Sequence, residues 1–254
     1  MDILFTGRLS SMTHELADAL LVGGYNVAFA SDDMNDELVG KKIANFQISP
    51  SDEDFERIFH SYNFDVVIFV SQTIYSKKSY YGEYQDLEHA LRICNDHEIN
   101  RFIYLQPKHC RLGKSEIPEH DLTVLFDACD QLCDFYRRSK GISIIKCNVP
   151  AIYGHGETTS VIGDAVLQAR NTSAIHFYGA SNQQCGFLSQ QELGEVLARI
   201  VESWTLLYDE FDITPGDIMT FEELGKLLKQ HYPTIRLSYS SSPITADVHF
   251  LDEV

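Results

Sequence analysis

Tyr136 and Lys140 stand four residues apart in the run Tyr136-Arg137-Arg138-Ser139-Lys140, so on a helix they share a face. A phenol beside an ammonium can take up a hydroxyl proton, because the positive charge favours the phenolate. Near the start, Thr6, Gly7 and Arg8 close an apolar run, and Ser10 and Ser11 lead into a helical one. The free amides of a helix start attract phosphate there, although a serine in that place serves equally as a plain N-cap. Lys108 and His109 form a third polar pair after an apolar run, for which a solvated loop is the plainer reading. Among ten histidines there is no His-x-His or His-Glu-x-x-His arrangement, and no Gly-x-Ser-x-Gly run occurs, so no metal site is expected.

These residues must be held by the elements around them. Asp2–Thr6 is a short apolar run, and Met12, Leu16, Leu20 and Leu21 follow at helical spacing before Gly23 and Gly24 stop the helix. Tyr25–Ala30 reads as a second strand with Asp32 near its end, which completes a first βαβ unit. The alternation continues through Phe46–Ile48, a helix over 51–61, and the unbroken apolar run Asp65–Val70, which suits a parallel strand covered on both faces. Leu87, Ala90, Leu91 and Cys94 mark a helix and Arg101–Leu105 a strand, and a long helix over 119–139 leads to a strand over 142–147. Repeated units of this kind build a doubly wound parallel α/β sheet of the Rossmann type. Beyond Gly154 the pattern loosens into shorter helices (159–170, 189–204, 220–231) and short strands near 176–178, 211–213 and 236–239.

At 254 residues the chain suffices for one nucleotide-binding domain with a small lobe. We expect the Rossmann domain over 1–153, with 187–213 returning to it, and a substrate-type lobe over 154–186 and 214–254. The ending Phe250-Leu251-Asp252-Glu253-Val254 suggests a piece of a longer protein. Asp and Glu number 37 against 20 Lys and Arg, for a net charge of -17 spread along the chain. Such a field repels nucleic acid and anionic membranes, while leaving room for a sugar nucleotide in a local pocket. Six cysteines without a Cys-x-x-Cys pair, and a start that lacks a signal-peptide layout, point to reduced thiols in a cytoplasmic protein.

Several segments in order, FTGRLSSMTHEL, DVVIFVSQT, RFIYLQPKH, IIKCNVPAIYGHG and FYGASNQQCGFLSQQELGEVLARIVE, are similar to the extended short-chain dehydrogenase/reductase family of NAD-dependent epimerases and dehydratases. The resemblance implies NAD or NADP, a sugar-nucleotide substrate, and hydride transfer driven by a Tyr-x-x-x-Lys pair with a nearby Ser or Thr. It also implies pairing of two copies through the long helices. Cofactor contacts would fall on Gly7, Arg8, Ser10, Ser11, Asp32 and Ser71.

Against that pattern the sequence departs where chemistry is needed. Ser10 and Thr13 occupy the second and third glycine positions of the phosphate loop, where a side chain obstructs close approach. After the fifth strand the chain reads Leu105-Gln106-Pro107-Lys108-His109, without a hydroxyl. Counted back from Gly141, which opens the sixth strand, the Tyr and Lys positions fall on Leu122 and Phe126, and neither ionises. Tyr136 lies ~21 Å further along the helix than Leu122 at 1.5 Å per residue. Leu122, Phe126, Cys129, Cys133 and Tyr136 instead form one apolar stripe, able to face the sheet or a partner. The expectation is therefore a pseudoenzyme, a nucleotide-binding, regulatory or scaffolding module with a sugar nucleotide or a protein as partner. The alternative is an active epimerase, dehydratase or reductase with relocated groups, Tyr136 with Lys140 or Lys108 with His109.

Overall fold

Ile3, Leu4 and Phe5 are fully buried although they point to alternate sides of one strand, so that strand is covered on both faces. It is β1 (Asp2–Gly7), at the middle of a parallel sheet. The computed structural model describes residues 1–9, 13–32, 43–71, 77–107, 119–154, 160–204, 209–214 and 217–240. On one side of β1 lie β2 (Asn26–Ala30) and β3 (Ala44–Phe46). On the other lie β4 (Val66–Val70), β5 (Arg101–Pro107), β6 (Ser143–Val149) and β10 (Glu210–Asp212). The order β10-β6-β5-β4-β1-β2-β3 is the doubly wound Rossmann arrangement. Chain direction across the sheet reverses between β1 and β4, and ligands of such sheets bind beyond the strand ends at that reversal.

Alternation along each strand divides the core in two. Leu4, Val67, Phe69, Phe102, Tyr104 and Ile144 face α2 (Glu56–Ser61), α3 (Lys77–Asp96) and α4 (Glu119–Lys140). Ile3, Phe5, Ile68, Ile103 and Ile145 face α1 (Thr13–Val22) and α6 (Gln190–Glu202). The helix expected over 51–61 forms only as α2, its first residues being turns. The stripe Phe126, Cys129, Cys133 and Tyr136 is buried in the first core together with residues of α3, so it is covered within the chain and is not a free interaction face. Cys94, Cys129, Cys133 and Cys147 are free buried thiols, in keeping with the reduced state expected of the neighbouring Cys129 and Cys133, while Cys185 is disulfide-bonded.

The later part of the chain builds a third core around Phe177, Phe187, Phe221 and Leu224. A three-stranded sheet joins β7 (Ala151–Tyr153), β9 (Gln184–Ser189) and β11 (Asp217–Thr220), and a parallel pair joins β8 (Ala174–Phe177) to β12 (Arg236–Tyr239). The helices α5 (Val161–Thr172) and α7 (Phe221–His231) pack on them. Ser189 with Glu192, and Thr220 with Glu223, form capping boxes that start α6 and α7. No helix among the described residues is long and apolar enough to cross a membrane.

α1 and α6 approach so closely that a Cβ on Gly194 would lie 2.7 Å from Ala19 Cβ and 3.0 Å from the Leu16 carbonyl oxygen. Gly194→Val should therefore force the helices apart and lower stability by about 1–3 kcal/mol in urea titration. An unchanged midpoint would show that the pair packs more loosely.

Candidate nucleotide cleft

Gly7 ends β1 with φ +95°, and a Cβ there would sit 2.5 Å from the Val70 carbonyl oxygen. Only glycine combines that backbone with so close an approach. The strand ends are tied together around it. Arg8 N donates to Val70 O at 2.9 Å. Thr6 Oγ1 donates to Ala30 O at 2.8 Å and Ser31 Oγ to Gly7 O at 2.7 Å. The mouth between β1, β2 and β4 is thus held by short polar contacts at the sheet's reversal point.

Arg8 turns its side chain back over this mouth. Its Nη1 lies 3.5 Å from Asp32 Oδ1, and its Nη2 lies against Gly82 of α3. Beneath it are the buried polar residues Ser71, Glu83 and Asp86. Desolvation pushes the Glu83 carboxyl up to about 8, and the Ser71 hydroxyl and Arg8 guanidinium beside it offset only part of that rise. At neutral pH Glu83 is mostly protonated. Desolvation also raises Asp86, against the pull of Ser51, Arg8 and Ser49. Ser49 Oγ donates to Asp86 Oδ1 at 3.2 Å. Arg8 Nε, Ser71 Oγ and Glu83 Oε1 are buried and find no hydrogen-bond partner of good geometry among the described residues. Such orphans beside a glycine strand end are groups that a polar ligand would complete.

No protein-family model matches the sequence, and no curated protein matches it either. Solved structures do. The Thermus thermophilus UDP-glucose 4-epimerase, in complex with NAD, matches with a TM-score of 0.78 at 16% identity, over 98% of this chain and 89% of that one. An NAD-dependent NDP-hexosamine 5,6-dehydratase of tunicamycin biosynthesis matches at TM-score 0.76 and 14% identity, over 98% and 86%. The Bacillus cereus UDP-glucuronic acid 4-epimerase, bound to UDP-glucuronic acid and NAD, matches at 0.73 and 14%, over 96% and 87%. The fold is that of the NAD-dependent epimerases and dehydratases. At these identities what is shared is the fold alone, and the chemistry must be read from the site.

Within the epimerase fold, α4 begins where β5 ends and runs back along the sheet, so its first turns lie nearest the cleft. Leu122 and Phe126 are on those turns, and the Phe126 ring is buried in the core. Tyr136 lies towards the far end. Its hydroxyl donates to Glu88 Oε1 at 3.3 Å, and burial pushes its pKa up to about 12, opposite to the change a general base needs. Lys140 is exposed at the last residue of α4. Gly7, Arg8, Asp32 and Ser71 do converge on the strand ends. Ser10, Ser11, Lys108 and His109 lie outside the described residues.

Where the fold's hydroxyl would follow β5, Gln106 is instead locked in an amide chain. Its Nε2 donates to Asp130 Oδ1 and Asn148 Oδ1, each at 3.0 Å. Asn148 Nδ2 donates in turn to Glu210 Oε1 at 3.0 Å and Asp212 Oδ1 at 2.7 Å. The chain stitches β5, β6, β10 and α4 together. Lys146 joins it, its Nζ lying 3.3 Å from Glu210 and 3.8 Å from both Asp130 and Asp134. Sequence reasoning missed both this network and Glu83. The signal for Glu83 was present, since it lies one turn before Leu87, Ala90, Leu91 and Cys94 on the buried stripe of α3.

A carboxyl at about 8 in the folded state stands above the ~4.3 of an unfolded glutamate. Between those values the native state holds a proton that the unfolded chain has released. Its stabilising share is complete below pH ~4 and is lost as pH rises through about 8. Glu83→Gln should remove that slope, moving the stability difference in the variant's favour by a few kcal/mol, in order of magnitude, between pH 4 and pH 9. Denaturant titrations at both pH values check this, and parallel curves for the two proteins would count against a buried neutral carboxyl.

Proposed function

We propose that this chain is a nucleotide-binding protein of the epimerase/dehydratase fold that works by binding, without the hydride chemistry associated with that fold. The observation that carries the reading is Phe126. The position that should hold an ammonium beside the nicotinamide carries instead a buried aromatic ring. A side chain that cannot ionise neither lowers a neighbouring phenol's pKa nor moves a proton. Gln106, held by two hydrogen bonds of its own, supports the same reading on the other side of the cleft.

The cleft itself retains features that suit a dinucleotide. Gly7 lets the backbone approach a pyrophosphate, Asp32, next to the Ser31 that occupies the family's acidic position, would take over the adenosine ribose, and Arg8 with Ser71 offers donors beside it. NAD or NADP, when bound, supplies a hydride acceptor or donor. This chain's residues would bind and orient it. With a net charge of -17 the whole molecule disfavours anions, so affinity must come from local donors. The protonated state of Glu83 matters here, since a neutral carboxyl beside Arg8 does not repel phosphate. The NAD and sugar-nucleotide complexes of the similar epimerases name the ligand classes to try.

The test is thermal unfolding of the intact chain with NAD, NADP, UDP-glucose and UDP-glucuronic acid in turn. At a hundredfold excess over its Kd a true ligand adds about 2.7 kcal/mol, and Arg8→Ala should lose most of that gain. Nicotinamide absorbance should stay flat when the sugar nucleotides are added with NAD or NADP. A steady change in that absorbance, or epimerised product, would overturn the reading. Failure of all four ligands to move the midpoint would remove the binding half of it.

A further inference from the structure

At the edge where the strands begin, far from the cleft, α2 and the turn after α3 bring together Glu56, His60 and His97. We propose that these three side chains form a binding site for a first-row divalent metal ion of the zinc class. One ligand atom from each, a carboxylate oxygen and two imidazole nitrogens, lies within 4.8 Å of the others. In a tetrahedral zinc site with metal–ligand bonds of about 2.0–2.2 Å, neighbouring ligand atoms stand about 3.4 Å apart. His97 Nε2 and Glu56 Oε1 are already 3.3 Å apart, one edge of such a tetrahedron. Closing the other two edges needs only side-chain rotation of His60, which is exposed.

The site has local reasons to hold its shape. Glu56 and His60 are four residues apart on α2 and so project from one face. Phe59, buried between them in sequence, packs its ring 5.6 Å from the His97 ring, which fixes that imidazole against the helix. The His60 and His97 rings meet edge to face at 5.0 Å, bringing their nitrogens into one region. Nearby cations do not compete for the space. Arg57 on α2 is paired with Asp54, and Arg92 on α3 with Asp96. A surface ion pair between Glu56 and a protonated His97 would contribute ~0–1 kcal/mol. Two imidazoles and a carboxylate converging together also match the donor set of zinc, copper, nickel and iron sites.

With three protein ligands and two of them partly exposed, the fourth position falls to water. The ion would clamp α2, in the connection between β3 and β4, to the turn that precedes β5. Nothing in this assignment depends on what the cleft binds.

The intact chain, stripped with chelator and dialysed, is titrated with Zn(II) against a chromophoric indicator, and separately with Co(II). The expected results are one Zn(II) per chain, the intense visible absorption of four-coordinate Co(II), and a higher thermal midpoint with Zn(II). His60→Ala and His97→Ala should each weaken binding at least about tenfold, and Glu56→Gln should weaken it too. Far-UV circular dichroism confirms that each variant is folded, and His89→Ala, on α3 outside the cluster, should bind as the parent does. Binding that survives in the His60→Ala/His97→Ala double variant would overturn the assignment. So would the absence of stoichiometric Zn(II) binding, or a Co(II) spectrum of the weak octahedral type.

Discussion

Gly7 rests against the Val70 carbonyl oxygen, and that contact decides where β1 may end relative to β4. A parallel sheet buried on both faces tolerates no loose strand ends near its middle, because each unpaired amide or carbonyl would be stranded away from water. The hydrogen bonds from Arg8, Thr6 and Ser31 answer that demand. They set β1, β2 and β4 level at the one place where the sheet changes direction. The cleft is a consequence of this levelling, and Arg8 enters it because it is the residue that follows Gly7.

Two buried polar groups of the sheet's upper edge show how differently such residues can be treated. Gln106 donates to Asn148, and the pair donate to three carboxylates, those of Asp130, Glu210 and Asp212, so that chain reads as a structural brace. Glu83, Ser71 and Arg8 lie together, and among the described residues Glu83 Oε1, Ser71 Oγ and Arg8 Nε find no hydrogen-bond partner of good geometry. The same low-dielectric surroundings that strengthen the first set leave the second with unmet polarity, so Glu83 holds its proton. The brace ties β5 to β6, β10 and α4, and the second set lies by the ends of β1 and β4.

The long helix α4 carries the same division along its length. Its buried side packs Cys129, Cys133 and Tyr136 with α3, while Arg137 and Asp134 on another side bind outward to Asp209 and Lys146. A literal Tyr-x-x-x-Lys run falls at the wrong end of this helix, where its tyrosine serves the α3 contact and its lysine meets solvent. Motif spelling and motif position separate here because a helix of 22 residues offers the pattern several registers but only one that reaches the cleft.

The apolar runs and helical periodicities of the sequence were enough to determine the doubly wound sheet, because parity and period are local properties that every βα unit repeats. They also marked Gly7, since a glycine after an apolar run has few other uses, while Leu122 and Phe126 were singled out only by the spacing that the family resemblance implies, counted back from Gly141. Tertiary structure decided the rest. It covered the α4 stripe within the chain, made Glu83 a neutral buried acid, and drew His97, 37 positions after His60 in the chain, to Glu56 and His60. Those outcomes depend on which faces meet, and charge states follow from burial and neighbours that no single segment carries in its own composition.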